Sequence, residues 1–186
     1  MPLASANFGL RALEGKHCTT IIGKLPATHV AIAPGDVMNI PSAGAGVQPL
    51  AGLTTNADTV AYQINIVGVA THGLAANTGG LIEMWDPWDN LFEVQSTVIG
   101  TGWDAIANVG KAYPVTNNNS AISSSTGFRA TGLTVANAAN GALCIFHWVA
   151  KIPGNDLTAT SYPIFVVRIN PWVIVGGGKN SGAFNS

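Results

Sequence analysis

Glu83, Asp86, Asp89 and Glu93 place four carboxylates within eleven residues, with no base between them. Three kinds of chemistry suit that spacing. Ca²⁺ prefers several carboxylate oxygens, so the four residues are a weak candidate for a calcium site. Two of them at the right separation could serve as a glycosidase-like acid/base pair. The third reading is a solvated hairpin turn. In Asp86-Pro87-Trp88-Asp89-Asn90 an Asp opens the turn and a Pro fixes the next φ, while Glu83 and Glu93 point outward from flanking strands. The turn is the preferred reading, and it implies no metal and no cofactor. Trp85 and Trp88 beside it suit a sugar-stacking platform, and they suit equally well the anchors of a protein interface.

Other chemistry-bearing residues form no constellation. Gly178-Lys179 resembles the end of a phosphate-binding loop, but Val173 stands where the first glycine belongs and Asn180 where Ser or Thr belongs. No Gly-x-Ser-x-Gly elbow is present. His17, His29, His72 and His147 show no helical pairing. His147 sits in an apolar strand and reads as a hydrogen-bonded core or interface histidine. His17 beside Cys18 is at most half of a zinc site. Cys18 and Cys144, far apart in sequence, read as free thiols. Asn118-Asn119-Ser120 is a chance sequon in this setting. The expectation is a protein that is not an enzyme.

The charge pattern points the same way. Only 8 Lys and Arg and 9 Asp and Glu serve 186 residues, where soluble domains carry charge on about a quarter of positions. Gly, Ala, Asn, Thr and Ser supply the remaining surface. Interspersed charge normally keeps a protein soluble and unattached. A chain that omits it is suited to burial against partners. With net charge −1 and no basic stripe, nothing favours nucleic acid. The longest apolar run, 141–150, is too short to span a bilayer. The N-terminus has no basic n-region and no long apolar h-region, so no secretory signal is expected.

The elements that must position these residues are strands. Period-two alternation recurs between Gly, Asn and Pro punctuation, as in 59–70, where Gly68 could mark a bulge. Residues 81–85 and 91–99 read as a pair around the acidic turn, and 142–152 and 163–170 as a second pair. Shorter candidates are 19–25, 29–33, 37–40, 128–135 and 172–175, and the only helical hint is 103–109. The fold class expected is all-β: an antiparallel sandwich or barrel, jelly-roll-like, with an extended N-terminal arm. Residues 1–18 would form the arm, 19–175 a single β domain, and 176–186 a flexible or partner-bound tail.

Three stretches carry a family resemblance. Asn7-Phe8-Gly9-Leu10-Arg11 resembles the Phe-Gly-Leu-Arg opening of a group of head decoration, or cement, proteins of tailed bacteriophages. Leu91-Phe92-Glu93-Val94-Gln95 is similar to that group's mid-chain strand, and Ile164-Phe165-Val166-Val167-Arg168-Ile169-Asn170 to its closing strand. The order and approximate spacing agree. Departures are Ala12, where the group commonly has Pro, and a chain continuing well past Asn170.

The resemblance implies a structural virion protein on the outer surface of the capsid. Its partners would be the HK97-type major capsid protein and itself, as a homotrimer or homodimer, with no nucleic acid and no membrane. Interface candidates are Asn7, Phe8, Leu10, Arg11 and Leu13 in the arm, with Trp85, Trp88 and Trp172. A tail or baseplate β-module and a carbohydrate-binding module are the alternatives. Within the closing strand, Arg168 is expected either to pair internally with Glu93 or to reach a coat subunit, and the internal pair is preferred.

Overall fold

In a computed structural model of the chain, the described residues are 8–13, 18–41, 46–50, 65–97, 112–113, 115–116, 121–133, 144–149, 155, 161–170 and 174–175. Their regular structure is all strand: β1 (Arg11–Ala12), β2 (Thr20–Leu25), β3 (Val37–Asn39), β4 (Gln48–Pro49), β5 (Ile66–Ala70), β6 (Gly80–Trp85), β7 (Phe92–Gln95), β8 (Ala112–Tyr113), β9 (Val115–Thr116), β10 (Gly132–Leu133), β11 (Cys144–Val149) and β12 (Ile164–Ile169). They form two five-stranded sheets, ordered β1-β7-β12-β11-β8 and β2-β6-β5-β3-β4, and a β10-β9 pair. Every ladder between these strands is antiparallel. The all-β class read from alternation and turn punctuation therefore holds.

One core cluster draws on both sheets. Phe92, Val94, Phe165, Val167 and Ile169 come from the first, with Leu10 just before β1, and Val37, Ile66 and Val69 from the second. In β12 the odd residues, Phe165 to Ile169, enter this core, as period-two alternation requires. A second cluster lies on the other face of the second sheet, where Met38, Ile82 and Met84 meet Ile32 and Val47.

Two expectations are corrected. β6 and β7 are strands, but they belong to different sheets. The acidic turn therefore carries the chain from one sheet to the other instead of closing a hairpin. Residues 8–13 of the expected arm are integral to the fold. Leu10 is 1% exposed, Ala12 is buried, and β1 pairs with β7 at Arg11↔Glu93 and Ala12↔Phe92. The backbone crosses Gly35 at Gly9, whose φ is +66°, and a Cβ on Gly9 would lie 2.9 Å from the Gly35 backbone. The glycine of the Phe-Gly-Leu-Arg segment is thus explained by a left-handed turn and a close backbone crossing.

The β11–β12 pair is present, with a slip between Phe146 and Trp148 that leaves His147 as the extra residue. The bulge anticipated at Gly68 falls beside it. Met38 pairs with Gly68 and Asn39 with Ile66, leaving Val67 unpaired in the ladder. The helical hint at 103–109, the early part of 59–70 and the tail lie outside the described residues.

Candidate partner interface

Each of the four clustered carboxylates is held by its own partner. Glu83, on β6, accepts a hydrogen bond from the Thr20 hydroxyl at 2.9 Å. Asp86 accepts the Trp88 N–H at 2.8 Å, the Asx-turn that its position before Pro87 favours. Asp89 accepts the Thr19 hydroxyl at 3.2 Å. Glu93, in the other sheet, receives Arg11 Nη2 at 2.6 Å. Asn90 is buried and locks the turn, its amide donating to the Thr19 and Asp86 carbonyls at 2.8 Å each. Among the described residues no three His, Cys, Asp or Glu side chains converge on one point as metal ligands would. The four carboxylates are thus divided between the two sheets and the turn that joins them, Glu83 on β6 and Glu93 on β7.

The two tryptophans differ in burial. Trp85 packs against the core shared by the sheets, while Trp88 stands on the turn at 43% exposure. Asn7 and Trp172 lie outside the described residues.

The interface candidates of the N-terminal segment divide by strand alternation. Leu10 points into the core and is lost as a contact residue. Phe8, Leu13 and Leu91 pack with Ile164 and Val166 into a small cluster on the other face of the first sheet. Arg11 lies beside it, its guanidinium 5.2 Å from the Phe8 ring centroid, within cation–π range.

The preferred Arg168–Glu93 pair does not form. Glu93 stands directly opposite Arg11 on one side and Val166 on the other. Arg168 lies two residues beyond Val166, a diagonal relation about 7–8 Å away. The direct neighbour takes the carboxylate, and Arg168 is exposed. Cross-strand register decides this, and spacing along one chain does not reveal it.

Sequence reading missed the buried ion pair between Asp36 and Arg129. Arg129 Nε donates to Asp36 Oδ2 at 2.9 Å, and both side chains are inside. The same oxygen accepts the Ala33 N–H, Oδ1 accepts no hydrogen bond, and Arg129 also donates to the Ala31 carbonyl. This pair ties the 29–36 loop to the 121–133 segment. Desolvation raises the Asp36 carboxyl above its ordinary value, outweighing the Ala33 hydrogen bond and Arg129, which lower it. A lone Asp in Pro-Gly-Asp and a lone Arg 93 positions later carry no sequence signal of their pairing.

His29, also buried, is structural. Its Nε2 accepts the Gly79 N–H at 3.3 Å, so its Nδ1 carries the proton given to the Val30 carbonyl at 2.7 Å. Cys18 is a partly buried free thiol.

No protein-family model matches the chain, no curated protein matches it, and no solved structure matches it.

Proposed function

We propose that this protein is a structural component of a tailed-phage virion that binds the outside of the icosahedral head and stabilises it by bridging HK97-type coat subunits. One observation carries the proposal: the three stretches resembling cement proteins lie on three adjacent strands of one sheet, β1, β7 and β12. Segments separated by some 80 and 70 residues thus assemble into a single continuous surface. A set of unrelated short matches would have no reason to become neighbours.

The chemistry of that surface suits docking on a protein shell. Phe8, Leu13 and Leu91 are partly exposed over buried Ile164 and Val166, and Arg11, Glu93 and Arg168 stand on the same strands. With so few charges on the chain, covering neutral surface costs little desolvation. Repeated across a shell, such contacts would resist the pressure of packaged DNA by adding buried area across subunit seams.

Sedimentation with intact heads tests the proposal. The protein is expected to travel with purified heads and to be released by mild denaturant before the coat dissociates. Recovery only in a tail fraction would favour the tail-module alternative, and glycan binding without head binding would favour the carbohydrate module.

A further inference from the structure

The loop between β5 and β6, residues 71–79, lies against the 29–32 segment, and buried His29 is at the centre of that contact. Ile32 and Leu74 exchange two backbone hydrogen bonds, at 2.9 and 3.0 Å. Nearer the loop tip, Asn77 N–H donates to the His29 carbonyl and Asn77 Oδ1 accepts the His29 N–H, each at 3.1 Å. None of these bonds uses the imidazole. The last tie does. Gly79 N–H donates to Nε2, and Thr78 Oγ1 lies 3.3 Å from the same nitrogen while donating its own proton to the Ala75 carbonyl at 3.0 Å.

Nδ1 gives its proton to the Val30 carbonyl, so Nε2 accepts Gly79 only while the ring is neutral. A second proton must sit on Nε2. There it would meet the Gly79 N–H donor to donor, and the acceptor within reach is the Thr78 hydroxyl oxygen. We propose that His29 is a pH-dependent latch on the β5–β6 loop. Neutral, it holds Gly79 and keeps the end of the loop closed. Protonated, it transfers its hold to the Thr78 hydroxyl and releases Gly79.

The residues freed by that exchange are built to move. Gly79 and Gly80 have φ of +59° and +94°. A Cβ on Gly79 would meet only the Ala27 Cα at 4.0 Å, and one on Gly80 would meet nothing within 4 Å. Conformational freedom, not close packing, therefore calls for glycine here, and the two form a hinge where the loop enters β6. Beyond it stands the exposed tip, Ala75 to Thr78. The surrounding charges offer the ring no counterion. Lys24 stands exposed on β2, and Glu83 on β6 accepts from Thr20. Exposed His72 bonds the Thr71 hydroxyl through Nδ1. Asp36 and Arg129 pair with each other, Arg129 also reaching the Ala31 carbonyl. Among the described residues no carboxylate pairs with His29. Protonation is thus not absorbed by an ion pair and acts on the Gly79 bond itself. The inference is independent of what larger body the protein binds.

Nuclear magnetic resonance of the purified full chain, titrated from about pH 8 to about pH 5, where imidazoles change charge, tests the proposal. The Gly79 amide and the His29 ring are expected to titrate with one midpoint. Hydrogen exchange of the Gly79 amide, relative to an unstructured glycine at the same pH, should rise about fivefold or more on acidification. Exchange of the Asn77 and Leu74 amides, bonded to backbone carbonyls, should not. His29→Gln offers Gly79 an amide oxygen at every pH and should abolish the response, while His72→Gln should leave it intact. Thr78→Val removes the acceptor for the second proton and should move the midpoint to lower pH. Circular dichroism and cooperative melting at neutral pH establish that each variant is folded, and the wild-type titration decides without them. A His29 ring that titrates while the Gly79 amide stays unchanged overturns the proposal, as does a ring that remains neutral throughout. A Gly79 response that persists in His29→Gln also overturns it and assigns the effect to another group.

Discussion

Arg11 and Glu93 face each other directly across the β1–β7 ladder, and their side chains close to 2.6 Å. The pair fastens the first described strand to the middle of the chain, yet it is not a strong bond. Arg11 is 52% exposed and Glu93 14%, so solvent screens most of the attraction. A double-mutant cycle with Arg11→Ala and Glu93→Ala should give a coupling of about 0.2–1 kcal/mol. A coupling of several kcal/mol would mean that the pair is desolvated.

Arg168 follows from the same register. Since Glu93 is taken by Arg11 and Arg168 is exposed, Arg168→Ala should change stability by no more than about 0.5 kcal/mol. The proposed function assigns it to the docking face, so the same variant should bind heads more weakly. Chemical denaturation and head binding measured on one preparation separate the two effects. A large stability loss would show an internal role.

The N-terminal segment should behave as core, not as a detachable arm. Leu10→Ala removes a fully buried side chain and should cost about 2–5 kcal/mol. Gly9→Ala forces a Cβ onto a backbone at φ +66° and against Gly35, where the left-handed conformation alone costs about 1–2 kcal/mol. Removal of residues 2–12 should therefore abolish cooperative unfolding. A truncated protein that melts as sharply as the full chain would contradict this assignment.

What the sequence made legible was local. Alternation placed β2, β3, β6, β7, β11 and β12 near their observed positions, and the pairing of β11 with β12 followed from two strong apolar strands in succession. What stayed hidden was non-local. That β6 and β7 part company at the acidic turn depends on each finding a different neighbour, β2 for one and β12 for the other. Spacing along the chain could not show that Glu83 and Glu93 would stand in different sheets, each with its own partner. Likewise, Leu10 and Arg11 look equally available in sequence. Only the side of the strand on which the core forms sends one inward and the other toward Glu93. Ile22 shows the same rule: with Thr20 and Lys24 it takes the solvent face of β2, while Gly23 and Leu25 face the core.

The Asp36–Arg129 pair gives the last prediction, and its pH dependence runs opposite to that of an ordinary paired carboxylate. Burial is the largest influence on Asp36 and raises its carboxyl above the ordinary value of 3.8, despite the hydrogen bond from Ala33 and the charge of Arg129. The folded protein therefore holds this proton more tightly than the unfolded chain does. The contribution of Asp36 to stability is fully present below the unfolded value, declines as pH rises through the raised folded value, and is then constant. Denaturation of the wild type and of Asp36→Asn from about pH 3 to about pH 7 should show the wild type losing ground to the variant as pH rises. A difference that grows in the other direction would mean that Arg129 overcomes desolvation and holds the carboxyl low. Breaking the pair from the other side is a separate matter. Arg129→Met leaves a buried carboxylate without its cation and should cost about 3–5 kcal/mol near neutral pH. Because protonation of Asp36 relieves that uncompensated charge, the loss in Arg129→Met should shrink on acidification, and a loss independent of pH would place its origin in packing alone.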